Sequence, residues 1–354
     1  MNTLNARAAA PALGAALLFG ASTPLAKLLV GEMPSLLLAG LLYLGSGLGL
    51  GLLMLLRQLR PAASSDRPQA AIPRADIPWL AGAIVAGGML GPALLMAGLA
   101  RTGAASASLL LNLEAVLTAV IAWWVFKENA DRRIVVGMLA IVAGGVLLAW
   151  EPGAASFSTG ALLIAAACAC WAVDNNLTRK VSANDALLIA GLKGLVAGSV
   201  NTGLALAGSA VLPDAATVAA ALAVGFLGYG VSLALFVVGL RTLGTARTGA
   251  YFSLAPLFGV VLSLAIWPAL PGAMFWLALL LMAAGTALHL LERHEHEHGH
   301  EPLAHAHPHV HDAHHQHAHD FAWDGREPHS HPHAHVALRH THAHLPDIHH
   351  RHPH

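Results

Sequence analysis

The segment "GAASASLLLNLEAVLTAVIAWW", residues 103–124, occurs a second time in the chain in a related form. It aligns with "GTARTGAYFSLAPLFGVVLSLA", residues 244–265, at an offset of 141 residues. A weaker alignment joins "FGASTPLAK", residues 19–27, to "WAVDNNLTR", residues 171–179. This internal repeat indicates that the chain is built from two related halves.

The composition around the repeat is that of a membrane protein. Of 354 residues, 56% are apolar and only 11% are charged, which lies outside the usual range of soluble globular domains. The net charge is zero with histidine neutral, so no electrostatic binding of nucleic acid is indicated. The chain also has no phosphate-binding loop, metalloprotease motif or nucleophile elbow, and we expect no enzyme activity.

Apolar runs of about 20 residues are long enough to cross a bilayer as helices. Ten are predicted, at residues 9–30, 34–56, 77–99, 103–126, 132–150, 158–178, 185–207, 217–240, 246–268 and 272–291. The predicted fold is therefore an all-α membrane protein of ten transmembrane helices. Because each half has an odd number of spans, the halves must cross the membrane in opposite orientations, and inverted repeats of this kind suit alternating access.

The basic residues of the loops give the orientation. One side of the membrane collects Arg7, Arg57, Arg60, Arg67, Arg74, Lys127, Arg132, Arg133, Arg179, Lys180, Arg241, Arg247 and Arg293. The other side has only Arg101. By the positive-inside rule the first side is cytoplasmic, which predicts a multi-pass protein of the cytoplasmic (inner) membrane with both termini in the cytoplasm.

Four segments carry a resemblance to a known family. They are residues 19–27, "NLEAVLTAVIAWWVFKE" at 112–128, "CWAVDNNLTRK" at 170–180 and "GYGVSLALFVVGLRTLGTARTGAYFSLAPLFGVVLS" at 228–263. With them the chain resembles paired EamA-type domains of the drug/metabolite transporter superfamily over roughly residues 9–291. The resemblance implies a transporter built from two five-helix halves.

The expected organisation is a first half at 1–152, a second half at 153–293 and a tail at 294–354. The chain departs from the family pattern at Leu42, where many members carry an arginine. It departs again at Ala115, where span four usually has the proline that Pro256 supplies in span nine.

Ionisable side chains at bilayer depth are functional candidates, because each costs several kcal/mol unless it is paired or hydrated. Glu114 lies roughly 16 Å into span four, near the midplane. There it could carry a proton, neutralise a cationic substrate, or serve as a structural carboxyl beside Asn112. We favour a place for Glu114 in the transport pathway.

Asp174 and Lys193 flank the turn between spans six and seven at depths that differ by only about 3 Å, so they could form an ion pair. That pair could act in gating or only fix the two helices together. Lys27, near the end of span one, could line the pathway or extend toward the interface. Further candidates for the pathway are Asn175, Asn176, Tyr251, Ser253, Pro24 and Pro256.

The tail is the second unusual feature, because all 24 histidines lie between His289 and His354. It has no periodic apolar pattern, and we expect it to be disordered. Histidines at short spacing bind zinc, nickel, cobalt or copper, so a divalent transition metal is expected on the tail although no cofactor is required. The candidate ligands are His294, His296, His298, His300, His305, His307, His309, His311, His314, His315, His317, His319, His340, His342, His344, His349, His350 and His352.

Three functions remain open. The first is a secondary transporter that exports a small organic metabolite, with a regulatory metal-binding tail. The second is a divalent metal exporter for nickel, cobalt or zinc, and the third is a membrane sensor of metal or pH. The expected partners are a small-molecule substrate, the lipid bilayer and divalent metal ions. Glycines spaced four apart, such as Gly47/Gly51 and Gly194/Gly198, permit close helix contacts within the bundle or in a homodimer.

Overall fold

The fold is described from a computed structural model of the protein. The structure describes residues 3–58, 72–126, 132–151, 156–181, 185–243, 248 and 251–290, together with four tail segments at 294–300, 303–309, 329–335 and 338–344. The chain divides into two compact units, Met1–Glu292 and Arg293–His354.

The first half contains the helices of spans one to five. Its elements are α1 (Thr3–Leu29), α2 (Ser35–Gln58), a 3₁₀ turn (Arg74–Asp76), α3 (Ile77–Ala83), a π-helical segment (Ile84–Leu90), α4 (Gly91–Leu99), α5 (Ala104–Leu110), α6 (Leu113–Phe126) and α7 (Arg132–Ala149). A two-stranded antiparallel ladder, β1 (Trp150–Glu151) with β2 (Ser156–Phe157), leads into the second half.

The second half repeats this order of helices. Its elements are α8 (Thr159–Lys180), α9 (Ala186–Ala207), α10 (Ala215–Gly225), a second π-helical segment (Phe226–Val231), α11 (Ser232–Leu243), α12 (Ala255–Ile266) and α13 (Ala273–Leu290). All ten predicted spans are helical over most of their described residues. Within the described part of the chain, eight helices are long and apolar enough to cross a membrane, and two shorter apolar helices follow, at Ala255–Ile266 and Ala273–Leu288.

Aspartates begin two helices of the second half. The Asp185 carboxylate accepts hydrogen bonds from the backbone N–H groups of Leu187 and Leu188, at 2.8 and 3.2 Å. Asp214 caps α10 in the same way and also accepts from the Thr217 hydroxyl at 2.6 Å. Those bonds from Thr217 lower the pKa of the exposed Asp214 carboxyl. Both carboxylates satisfy backbone donors that a helix start leaves unpaired.

The helices pack in pairs that follow the repeat. α2 lies along α9, and α7 lies along α13. α1 packs against α11 and α12, while α8 packs against α4 and α6. These contacts are equivalent in the two halves. Span one packs against spans eight and nine, and its counterpart, span six, packs against spans three and four. Spans two and seven, and spans five and ten, pack against each other. The packing therefore has the pairing of two related halves that the aligned segments predict.

Glycines allow the closest of these contacts. A Cβ atom added at Gly194 of α9 would lie 2.6 Å from the backbone nitrogen of Gly47 on α2. At the crossing of α1 and α12, a Cβ added at Gly259 would lie 2.8 Å from the carbonyl oxygen of Gly20. These glycines are therefore used inside the bundle, where backbone approaches backbone without intervening side chains.

The described tail residues form two antiparallel ladders. β3 (His294–His300) pairs with β6 (Leu338–His344), and β4 (Leu303–His309) pairs with β5 (His329–His335). In these segments the structure differs from the predicted disorder, because their backbone N–H and C=O groups pair with each other. The register sets histidines opposite histidines, for example His296 opposite His342 and His307 opposite His331.

A larger side chain at Gly194 tests the close contact between α2 and α9. Gly194→Val should lower the free energy of unfolding by about 1–3 kcal/mol, because the side chain would overlap the α2 backbone. Gly203→Val on the same helix is the matched control, since a Cβ there meets nothing within 4 Å. Thermal unfolding in detergent measures both. Equal melting temperatures for the two variants would contradict the close α2/α9 packing.

Candidate functional site

Helices are interrupted at corresponding places in the two halves. The π-helical segments Ile84–Leu90 and Phe226–Val231 occupy equivalent positions of spans three and eight. Span four breaks between α5 and α6 at Leu111 and Asn112, and span nine turns at Ser253 and Leu254 before α12. Paired interruptions of this kind are typical of the binding site of a repeat-built transporter. Sequence reasoning missed them, although glycines at 87, 88 and 91 and the proline at 256 were signals.

The first π-helical segment has a backbone carbonyl that accepts hydrogen bonds from side chains of other helices. Pro92 has no N–H group, so it cannot bond the Gly87 carbonyl five residues earlier. The Gly87 oxygen instead accepts hydrogen bonds from the Tyr43 hydroxyl and from the Trp171 indole N–H, both at 2.9 Å. Asn201 donates to the Met89 carbonyl at 3.1 Å. Three helices, α2, α8 and α9, are thereby tied to this segment.

Glu114 lies in the first turn of α6, directly after the break in span four. Its Oε1 accepts a hydrogen bond of 2.9 Å from the Asn175 amide on α8. The same amide approaches the Thr118 hydroxyl at 3.3 Å. Glu114 is partly buried, and among the described residues no side chain is hydrogen-bonded to its Oε2. One carboxyl oxygen is thus held in place, while the other has no side-chain partner in the described part of the chain.

Asn112 is placed differently from the expected position beside Glu114. Its amide nitrogen donates to the Leu109 carbonyl at 2.9 Å, and its oxygen accepts from the Thr286 hydroxyl at 3.4 Å. Asn112 therefore bonds back to α5 at the break in span four and links this break to α13. The amide that is hydrogen-bonded to Glu114 is therefore that of Asn175, from the other half of the chain, and not that of Asn112.

Asp174 and Lys193 form the predicted ion pair. The Lys193 ammonium lies 2.6 and 2.5 Å from the two carboxylate oxygens, and the Thr178 hydroxyl donates to Asp174 at 2.8 Å. Both side chains are nearly buried, at 16% exposed for Lys193 and 7% for Asp174. A side chain at Gly87 would overlap the Asp174 carboxylate, so the π-helical segment also makes room for the pair.

The other predicted residues lie farther along the spans. Lys27, two residues before the end of α1, donates to the Leu99 carbonyl at 2.5 Å and lines a cleft of about 260 Å³ with Ser106, Ser263 and Trp267. Asn176 is 6% exposed and donates to the carbonyls of Ala172 and Thr118, so it ties α8 to α6.

Two prolines mark the contact of spans one and nine. Pro24 lies within α1 and frees the carbonyl of Gly20, which faces Gly259 on α12. Pro256 occupies the first turn of α12, where a missing N–H is tolerated, rather than the middle of a helix. Tyr251 lies just before the turn of span nine, and its carbonyl accepts from Leu254 at 3.2 Å. Ser253 lies in the turn itself.

Sequence reasoning also missed a row of aromatic rings. Tyr43 and Tyr229 have ring centroids 5.6 Å apart, and Phe19 lies 6.0 Å from Tyr229 and 5.3 Å from Phe252. Phe236 lies 4.9 Å from Phe252. The rings come from spans one, two, eight and nine and are all partly buried. No spacing rule links them, because they meet only when these spans pack together.

Among the residues that the structure describes, no three histidine, cysteine, aspartate or glutamate side chains lie together so that they could hold a metal ion. Eight candidate ligands of the tail lie outside the described residues: His311, His314, His315, His317, His319, His349, His350 and His352. The other ten lie in the two ladders: His294, His296, His298, His300, His305, His307, His309, His340, His342 and His344.

The ion pair can be tested by a double-mutant cycle. Asp174→Asn or Lys193→Met alone should destabilise the protein by about 3–5 kcal/mol, because each leaves a buried charge without its partner. The double variant should be destabilised by clearly less than the sum of the two. Thermal unfolding in detergent provides the measurement, and additive losses would show that the two side chains do not act as a pair.

Comparison with known proteins agrees with this architecture. A solved crystal structure superposes with a TM-score of 0.57 at 20% identity, covering 80% of this chain and 96% of that one, which shows a shared fold. An uncharacterized transporter of Methanothermobacter thermautotrophicus is 28% identical over 71% of this chain and 77% of its own length. The EamA-like transporter family matches residues 7–150 and again residues 158–291. The chain therefore belongs to the EamA-like transporter family and carries two copies of its domain.

Proposed function

We propose that this transporter exports a small organic solute across the cytoplasmic membrane by a secondary mechanism. The observation that carries the proposal is the placement of Glu114. It follows the break in span four, it is held by Asn175 from the other half, and one of its oxygens has no side-chain hydrogen bond among the residues that the structure describes. A carboxyl so placed is in contact with both halves, which alternating access requires of a central site.

Two arrangements of the halves would expose this site in turn. The interrupted spans three, four, eight and nine supply the places where backbone torsions can change while the neighbouring helices stay intact. The Asp174–Lys193 pair joins α8 to α9 and is neutral as a unit. Its role in the proposal is to hold the second half together as the halves rearrange.

Protons are the proposed coupling ion. Because Asp174 is neutralised by Lys193, Glu114 is the remaining carboxyl in the described middle of the spans that can gain and lose a proton. Protonation from outside and release to the cytoplasm would drive outward movement of a solute. Orientation with both termini in the cytoplasm rests on the loop charges.

The second function considered, export of divalent metal, finds less support at the centre. Zinc is usually bound by four nitrogen, sulfur or oxygen ligands, and magnesium and calcium by six or more oxygens. The groups next to Glu114 are the amide of Asn175 and the hydroxyl of Thr118. An amide and a hydroxyl suit an organic solute better than a divalent ion.

For the tail we propose metal binding with a regulatory role. Its support is compositional, because residues 289–354 contain all 24 histidines of the chain. Neutral imidazole is a ligand for zinc, nickel, cobalt and copper. A membrane sensor without transport is disfavoured, because sensing alone does not require two EamA domains.

Transport can be tested in inside-out vesicles with an acidic lumen, supplied with a cytosolic small-molecule extract. Wild-type protein and a truncation after Arg293 should both accumulate at least one organic solute, detected by mass spectrometry. Glu114→Gln should abolish the uptake, and so should a protonophore. The exposed Glu32→Gln variant should transport normally. Labelled zinc, nickel and cobalt are tested in parallel, and metal uptake lost in both the truncation and Glu114→Gln would make metal the substrate.

Metal binding by the tail has a separate test. Titration of purified full-length protein with zinc should release heat that corresponds to several bound ions per chain. Truncation after Arg293 should remove nearly all of it, and acidification below about pH 6 should weaken it because imidazole becomes protonated. Equal zinc binding by the truncated protein would refute a tail site.

A further inference from the structure

We propose that the central site takes an organic cation with an aromatic or apolar body, such as a primary or quaternary amine. The inference rests on the proposed transport through the same site and adds the chemical class of the solute. Two observations carry it: the balance of charge at the centre and the row of aromatic rings from four spans.

The charge balance favours a cation. In the described middle of the spans, the carboxylate and amine side chains at the centre are Glu114, Asp174 and Lys193. Asp174 has both oxygens bonded to Lys193 and one also bonded to Thr178, so its charge is already compensated. With Glu114 ionised, the centre therefore carries one uncompensated negative charge. In a water-poor environment that charge needs a proton or a cationic partner.

The hydrogen bonds of Glu114 leave one carboxylate oxygen to accept from that partner, as far as the described residues extend. Oε1 is held by the Asn175 amide at 2.9 Å, which orients the carboxylate. Oε2 has no hydrogen-bonding side chain among the described residues, and the residue is only partly buried. An ammonium group of the solute could occupy this position, while Asn175 and Thr118 supply neutral polar neighbours.

The aromatic rings supply the second half of such a site. Tyr43 donates a hydrogen bond of 2.9 Å to the Gly87 carbonyl, and Gly87 packs against the Asp174 carboxylate, so the row begins beside the charged groups of the centre. The ring centroids of Tyr43 and Tyr229 are 5.6 Å apart, and Phe19 and Phe252 continue the row. Ring faces attract organic cations through their quadrupole, and the same rings bury the apolar part of the solute. A carboxylate combined with aromatic rings binds a cation better than a neutral or anionic molecule of the same shape.

Binding can be measured on the purified full-length protein in lipid nanodiscs, independently of transport. Three probes of similar size are compared: benzyltrimethylammonium, its uncharged carbon analogue neopentylbenzene, and the anion 3-phenylpropanoate. Wild-type protein should bind the cation at least about tenfold more tightly than either of the others. The inference is overturned if the anion or the neutral probe binds as tightly as the cation, or if none of the three binds.

Variants then locate the site. Glu114→Gln keeps an oxygen for Asn175 and should weaken binding of the cation by at least about tenfold, which corresponds to the loss of one charged contact. The exposed Glu32→Gln is the matched control and should bind like wild type. Tyr229→Leu should weaken cation binding more than Tyr229→Phe, which keeps the ring. Unchanged cation binding in Glu114→Gln would overturn the inference, and thermal unfolding verifies that each variant is folded.

Vesicle transport of benzyltrimethylammonium separates this inference from the proposed function. Cation binding without transport supports the assigned chemical class and contradicts the transport proposal. Uptake of a neutral or anionic solute that requires Glu114 supports transport and overturns the assignment of a cation.

Discussion

The bilayer offers no water, and the rest of the structure depends on how the protein satisfies its polar groups without it. At the interruptions in spans three and four, side chains donate hydrogen bonds to backbone carbonyls that the regular helix would otherwise pair. Tyr43 and Trp171 donate to Gly87, Asn201 donates to Met89, and Asn112 donates within its own break. Departures from regular helix are therefore tolerated where donors from neighbouring helices reach the freed carbonyls.

The same constraint explains how charges are arranged in the bundle. Asp174 is surrounded by Lys193 and Thr178, and the absence of a side chain at Gly87 leaves space for the carboxylate. Among the described residues, the side chain that is hydrogen-bonded to Glu114 belongs to a neutral amide, Asn175. One carboxyl is thus compensated inside the protein, while the other depends on a proton or a solute. That difference distinguishes a structural pair from a candidate for transport.

The repeat supplies a symmetric scaffold, and the functional residues break its symmetry. Helix pairs such as α2 with α9 and α7 with α13 join equivalent spans. By the alignment of the halves, Glu114 corresponds to Ala255 and Asp174 corresponds to Ser22. The central polar groups therefore come unequally from the two copies, and the bond between Glu114 and Asn175 spans them. A single site shared by both halves can respond to either of their arrangements.

The sequence by itself determined the helical class, the ten apolar segments, the two halves and the Asp174–Lys193 pair, because hydropathy and residue spacing fix depth along a helix. It also predicted a midplane position for Glu114. Only the tertiary structure decided that Asn175 rather than Asn112 holds Glu114, that rings from four spans form one row, and that the spans are interrupted in matching places. These features depend on the rotation of each helix about its axis and on its neighbours, which depth alone does not specify.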